Sequence, residues 1–142
     1  MEQIVKALPQ TDRPLIVRTD FSDEEGWETV LAAVLAPQGG SGGETFVYVV
    51  NDEAYDGLTT QELLGLVPVD AERDDGVLFV VDKISLGARW HPVLVVGLGE
   101  SDGTFRSVPL EIFSIASNLD VGNLTVDEFI EGLDDDGVYH GL

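Results

Sequence analysis

The sequence predicts an α/β domain built on a mostly parallel central sheet of about five strands, and three observations carry that prediction. Short apolar runs of buried-strand type, Leu15-Ile16-Val17, Thr45-Phe46-Val47-Tyr48-Val49-Val50 and Val77-Leu78-Phe79-Val80-Val81, are separated by stretches of helical periodicity. The resulting β-α-β-α-β order places strands parallel, with right-handed crossovers and helices over the sheet. After the third strand the pattern changes: residues 92–98 and 104–108 flank Gly99-Glu100-Ser101-Asp102-Gly103, whose Asp-Gly turn joins them as an antiparallel hairpin.

Taken in order, residues 1–13 read as a loosely ordered lead-in and residues 14–142 as a single domain. After the first strand, Ser22 reads as a helix N-cap. Glu25 completes a capping box, with Asp23 and Glu24 at the positive end of the helix dipole. Trp27, Val30, Leu31, Val34 and Leu35 recur at i, i+3, i+4, i+7 and i+8, a core-facing stripe that Pro37 ends. The glycine-rich stretch 38–44 lacks the Lys-Ser/Thr ending of a phosphate loop and reads as a flexible connection. A short capped helix spans 58–64, and an acidic loop covers 69–75 before the third strand. Pro109 suits a first helical turn, with Leu110, Phe113 and the stretch from Ala116 to Leu119 directed inward. Thr125 caps a last helix whose apolar face is Val126, Phe129, Ile130 and Leu133.

Composition bounds the function. A chain of 142 residues, 44% of them hydrophobic, suffices for one core, and with no cysteine it has neither disulfides nor thiolate metal ligands. Twenty-seven acids against seven Lys and Arg give a formal net charge of −20. Such a field disfavours nucleic acid and anionic membranes, and it raises on-rates toward basic partners. The N-terminus lacks a basic start followed by a long apolar region, and no apolar run approaches the roughly 20 residues of a membrane span. A cytoplasmic protein, monomer or homodimer, is expected.

Two groups of residues are candidates for chemistry or binding. Three predicted parallel strands end in aspartate: Asp20, Asp52 and Asp82. Ligands in open parallel α/β sheets bind outside the carboxyl ends of the strands, so these acids are candidates for a Mg²⁺ site. A phosphate-ester enzyme would also need a cationic clamp, for which Lys83, Thr19 and Arg18 are the nearby residues. The competing account is local, since aspartate caps the turn that follows a strand through its own side chain. The second group, Arg89-Trp90-His91, is a compact polar and aromatic cluster before the fourth strand. Trp and Arg are favoured at binding hot spots, although a Trp can simply cover a sheet edge.

Other patterns exclude chemistry. The spacing from Gly97 to Gly103 precedes a strand and is no dinucleotide fingerprint, and no G-x-S-x-G occurs. The tail Asp134-Asp135-Asp136-Gly137 lacks half a calcium loop's ligands, and His91 and His140 have no zinc spacing. Acids concentrated at 23–28, 70–75 and 127–136 would suit a nucleic-acid mimic if contiguous, and solvated faces if dispersed.

Several pieces together carry a resemblance: V-R-T-D-F-S-D followed by Trp27, L-F-V-V-D at 78–82, H-P-V-L-V-V at 91–96, F-R-S-V-P-L-E-I at 105–112, N-L-D-V-G-N-L at 118–124 and the D-G-V-Y-H-G-L ending. The chain resembles an uncharacterised actinobacterial family of small acidic proteins, a domain of unknown function. The resemblance covers nearly everything from Pro14 onward. It implies a stand-alone domain whose Val138-Tyr139 tail packs with the rest, and it transfers no functional residue. The expected function is a non-enzymatic, acidic protein-binding or regulatory domain with a basic partner and no cofactor. The alternative is a Mg²⁺-dependent phosphate-ester enzyme or metal-binding domain using Asp20, Asp52 and Asp82.

Overall fold

The structure, a computed structural model, describes residues 8, 14–35, 47–67, 77–97, 103–120, 126–133, 135 and 137–141. The glycine-rich stretch 38–44, the acidic loop 69–75, the hairpin turn before Gly103 and the Thr125 cap lie outside the described residues.

Among the described residues, six strands form one sheet. They are β1 (Leu15–Arg18), β2 (Tyr48–Val50), β3 (Val77–Val81), β4 (Val93–Gly97), β5 (Thr104–Ser107) and β6 (Val138–Tyr139). Their order is β2-β1-β3-β4-β5-β6. β1 runs parallel to both β2 and β3, β4 is antiparallel to β3 and β5, and β6 is parallel to β5. Every strand except β4 therefore points the same way, and their carboxyl ends share one edge with the start of β4.

The third predicted strand is matched residue for residue, because its five positions are all buried and its apolar run admits no other assignment. The expected hairpin is present as β4 and β5. The sheet exceeds the expected five strands by β6, a two-residue strand held by pairing Arg106 with Val138 and Ser107 with Tyr139. Tyr139 is buried between Phe105 and Phe129, so the tail packs into the domain.

Among the described residues five α-helices accompany the sheet: α1 (Glu24–Val34), α2 (Thr60–Leu64), α3 (Lys83–Gly87), α4 (Ile112–Asp120) and α5 (Val126–Glu131). α1 begins differently from the expectation. Asp23, not Ser22, is its N-cap, accepting from the Gly26 N–H at 2.9 Å. Ser22 instead gives its N–H to the Asp20 carboxylate at 2.8 Å, and its hydroxyl goes there too. The Asp23 cap depends on Gly26, where an added Cβ would lie 2.6 Å from the capping carboxylate. The α1 stripe is otherwise as expected: Trp27, Val30 and Val34 are buried and Leu31 packs against them, while Leu35, at the helix end, is exposed.

α2 carries a capping box, with Thr59 and Glu62 exchanging side-chain to backbone bonds. α3 is an element the sequence reading lacks. Pro109–Glu111 is a 3-10 turn leading into α4, and its tighter winding turns Leu110 outward to 57% exposure while Ile112, Ile115 and Ala116 face the core. In α5, Val126 and Phe129 are buried, with Ile130 and Leu133 partly so.

Alternating side chains build a core on each face of the sheet. On one face Ile16, Phe79, Val95 and Phe105 meet α1, α4 and α5; on the other Val17, Leu78 and Val80 meet Leu63 of α2 and Tyr55 of a 3-10 turn at Glu53–Tyr55. Leu8 joins this second core, its N–H on the Leu66 carbonyl at 2.9 Å. The β1-to-β2 and β2-to-β3 connections move in opposite directions over opposite faces, which is one consistent hand. The β5-to-β6 connection moves like the second but over the face of the first, so it has the opposite hand. If the first two follow the right-handed rule, this last one is among the roughly 2% of parallel crossovers that do not. Among the described residues no helix is long and apolar enough to cross a membrane.

Candidate functional site

The strand order places a topological switch between β1 and β3, where chains of this class open a crevice at the carboxyl ends. Here the chain's own backbone spans that position. The Thr19 N–H donates to the Val81 carbonyl at 2.9 Å, and the Thr19 carbonyl accepts the Gly57 N–H at 2.8 Å. Gly57 adopts φ 78, a left-handed conformation that suits glycine and brings its N–H over the strand end.

Each of the three strand-end aspartates serves the turn behind it. Asp20 accepts from Ser22, Asp52 accepts the Ala54 N–H at 2.9 Å to cap the Glu53–Tyr55 turn, and Asp82 accepts the Ser85 N–H at 3.0 Å to cap α3. Register explains the separation. Val17 lies opposite Val50 and Arg18 opposite Val81, which puts Asp52 and Asp82 level with Thr19 on either side of β1. That is two strand spacings, about 10 Å between backbones. Among the described residues no three His, Asp or Glu side chains are grouped so as to hold a metal ion.

Arg18 is the most enclosed charged side chain among the described residues, 1% exposed. Its Nε donates to the Asp20 carbonyl at 3.0 Å, and Nη1 donates to Glu24 at 3.0 Å and to Asn51 at 3.3 Å. The guanidinium lies 4.3 Å from the Phe21 ring centroid and 5.2 Å from that of Trp27. Nη2 is buried and meets no hydrogen-bond acceptor among the described residues. Beside it, the pKa of Asp20 is lowered, chiefly by the Ser22 hydroxyl and N–H, with the charges of Lys83 and Arg18 adding to this.

On the other side of β3, Arg106 forms a two-pronged pair with Asp82, Nη2 to Oδ2 at 2.7 Å and Nη1 to Oδ1 at 3.0 Å, and Nη1 also reaches the Pro92 carbonyl. Burial, the largest single influence, pushes the Asp82 carboxyl up. The Arg106 guanidinium and the Ser85 N–H and hydroxyl together outweigh it, so the pKa is lowered. Tyr139 is raised, first by burial and then by the charge of Glu111.

The Arg89-Trp90-His91 cluster follows α3 at the same edge. The His91 N–H closes a turn onto the Ala88 carbonyl at 3.2 Å, with Arg89 and Trp90 at its centre. Trp90 has φ 73 and His91 φ 47, two successive left-handed residues of which neither is glycine. Such positions cost about 1–3 kcal/mol each and concentrate at functional sites. The His91 ring is tied down: a carbonyl only accepts, so Nδ1 carries the proton it gives to the Ser85 carbonyl at 3.1 Å, which leaves Nε2 as the acceptor of the neutral ring. Trp90 is 51% exposed. The Arg89 guanidinium lies 4.8 Å from its ring centroid, and the His140 ring meets it edge-on at 5.5 Å.

The structure brings His140 onto Trp90 of the Arg89-Trp90-His91 turn and, apart from that turn, pairs Arg106 with Asp82, two contacts the sequence reading did not give. Arg106 sits inside a strand that gives no local hint of its pairing with Asp82, 24 residues away. His140 arrives only because β6 pairs with β5. One signal was available: in a chain with so few cations, each Lys or Arg beside a strand is worth following.

Among curated proteins, none matches this chain. The family model described as a domain of unknown function, DUF6924, matches residues 13–142, and the chain belongs to that family.

Proposed function

We propose that this protein is a non-enzymatic binding domain of the bacterial cytoplasm, of actinobacterial origin, that docks a protein partner through the Arg89-Trp90-His91 turn. The observation that carries this reading is Trp90, a large aromatic side chain half exposed on a left-handed backbone and flanked by Arg89 and His140. Burying an exposed Trp beside a cation is what anchors many interfaces. A rigid turn lowers the ordering cost of doing so. The net charge of −20 supports a partner that is basic as a whole, drawn in by the long-range field, while the turn sets the short-range contact. The Mg²⁺-dependent reading has less behind it, because each of the three carboxylates is already directed onto its own turn.

The test compares wild-type protein with Trp90→Ala as baits in native lysate, at low and high salt. The reading expects a partner held by wild type at low salt and lost with the variant at unchanged melting temperature. Equal recovery by both baits would sink it.

A further inference from the structure

The cations of the described residues share one edge of the sheet. Arg18, Lys83, Arg89 and Arg106 are the Lys and Arg residues of the described part, and all four lie at the carboxyl edge, together with both histidines, His91 before β4 and His140 after β6. Acids lie at that edge too, among them Asp20, Asp23, Glu24, Glu25, Asp52 and Asp82, and the described residues carry further acids elsewhere, such as Glu28 and Asp127. Two of the four cations are compensated, Arg18 by Glu24 and Arg106 by Asp82. Lys83 acts on Asp20 only at a distance. Arg89 makes no ion pair among the described residues and rests on Trp90.

We infer that the segment docked on the Arg89-Trp90-His91 turn is acidic. A carboxylate of the partner is held by the Arg89 guanidinium, and the neighbouring apolar part of that segment packs on Trp90. This rests on the protein-binding reading and gives the contact its chemistry. Range decides between the local and the global charge. At physiological ionic strength the field is screened within about 8 Å, so a group docked against Arg89 responds to Arg89 more than to acids elsewhere on the molecule. A basic segment docked on Trp90 would set its own cation against the Arg89 guanidinium, which has no carboxylate among the described residues to offset it. Arginine also presents a planar fork that fits a carboxylate through two parallel bonds, a geometry lysine does not offer. The complement is then a partner with an acidic segment set in a basic body, which reconciles a cationic contact with an acidic chain.

Two synthetic probes test this at physiological ionic strength: a Glu-rich hexapeptide containing one leucine and its Lys-rich counterpart, titrated while tryptophan emission is recorded. Trp27 is buried, and Trp90→Phe identifies the part of the signal that belongs to Trp90. The Glu-rich peptide is expected to change Trp90 emission. Its affinity should fall at least tenfold in Arg89→Gln, fall by less in Arg89→Lys, and weaken with added salt. A Trp90 response to the Lys-rich peptide as strong as to the Glu-rich one, or Arg89→Gln binding the Glu-rich peptide as wild type does, would overturn the inference. The two readings fail separately. Loss of the partner by Trp90→Ala with no Trp90 response to the Glu-rich peptide overturns only the acidic segment, whereas equal capture by both baits overturns the docking reading itself.

Discussion

Arg18 and Arg106 stand at the same edge of one sheet and are held there by different physics. Arg18 points to the face covered by α1, is 1% exposed, and lies against the rings of Phe21 and Trp27. Its ionic partner Glu24 is 67% exposed, so that bond is largely a surface bond, and one guanidinium nitrogen meets no acceptor among the described residues. Arg106 points to the opposite face, shares both prongs of its guanidinium with Asp82, and both side chains remain partly open to solvent. Packing holds the first arginine and charge pairing holds the second. A charged side chain in a strand thus has no single meaning, and the neighbouring face decides which one applies.

The largest expected effect breaks the packed side. Arg18→Ala removes a long side chain from between two aromatic rings and leaves a cavity, with a loss of about 3 kcal/mol expected in urea unfolding. Arg18→Met keeps the stem and removes the charge together with the unpaired donor, and a loss below about 1.5 kcal/mol is expected. Equal losses in the two variants would show that hydrogen bonds, not packing, hold Arg18.

The paired side should break by less, and in a way that depends on pH. Asp82→Ala leaves Arg106 without its carboxylate and α3 without its cap, at a cost of about 2 kcal/mol. A double-mutant cycle with Arg106→Met should return a coupling of about 1 kcal/mol. The folded pKa of Asp82 is lowered, so its contribution is present above the unfolded carboxylate value of about 3.9 and is lost as pH falls through the folded value. Asp82→Asn should therefore be less stable than wild type at neutral pH and converge with it in acid. Parallel stability curves down to pH 2 would contradict the pairing account.

A smaller effect, of the opposite sign, is expected at the turn. Trp90→Gly relieves a left-handed residue while losing only contacts on the surface, so stability should hold or rise by up to about 1 kcal/mol while partner binding is lost. A marked drop in melting temperature would make Trp90 a structural residue. The smallest effect is none: millimolar Mg²⁺ should leave the melting temperature unchanged, and a clear rise would revive a cation site at Asp20, Asp52 or Asp82.

Much of this fold is legible along the chain because its causes are local. Five buried apolar residues in succession mark β3 to the residue, the spacing of Trp27, Val30 and Val34 marks the buried face of α1, and Asp-Gly between two apolar runs marks the hairpin. Where two local solutions compete, the reading slips by a residue or misses an element. Ser22 and Asp23 are both good caps, and the choice went to Asp23 because Asp20 takes Ser22 and Gly26 leaves room. Five residues opening on Lys83 show too little periodicity to announce α3.

Strand order, the opposed hands of the crossovers and the presence of four cations at one edge are different in kind. Two residues, Val138 and Tyr139, become a strand only against β5, and that pairing carries His140 to Trp90 across 50 positions of sequence. The spread of Asp20, Asp52 and Asp82 onto three separate turns, and the meeting of Asp82 with Arg106, depend on which strands lie side by side. Periodicity and capping act over one or two turns of chain and leave a signature there. Pairing and burial act between segments that are strangers in sequence, so only the packed sheet decided that each acid would serve its own turn and that Asp82 would meet Arg106.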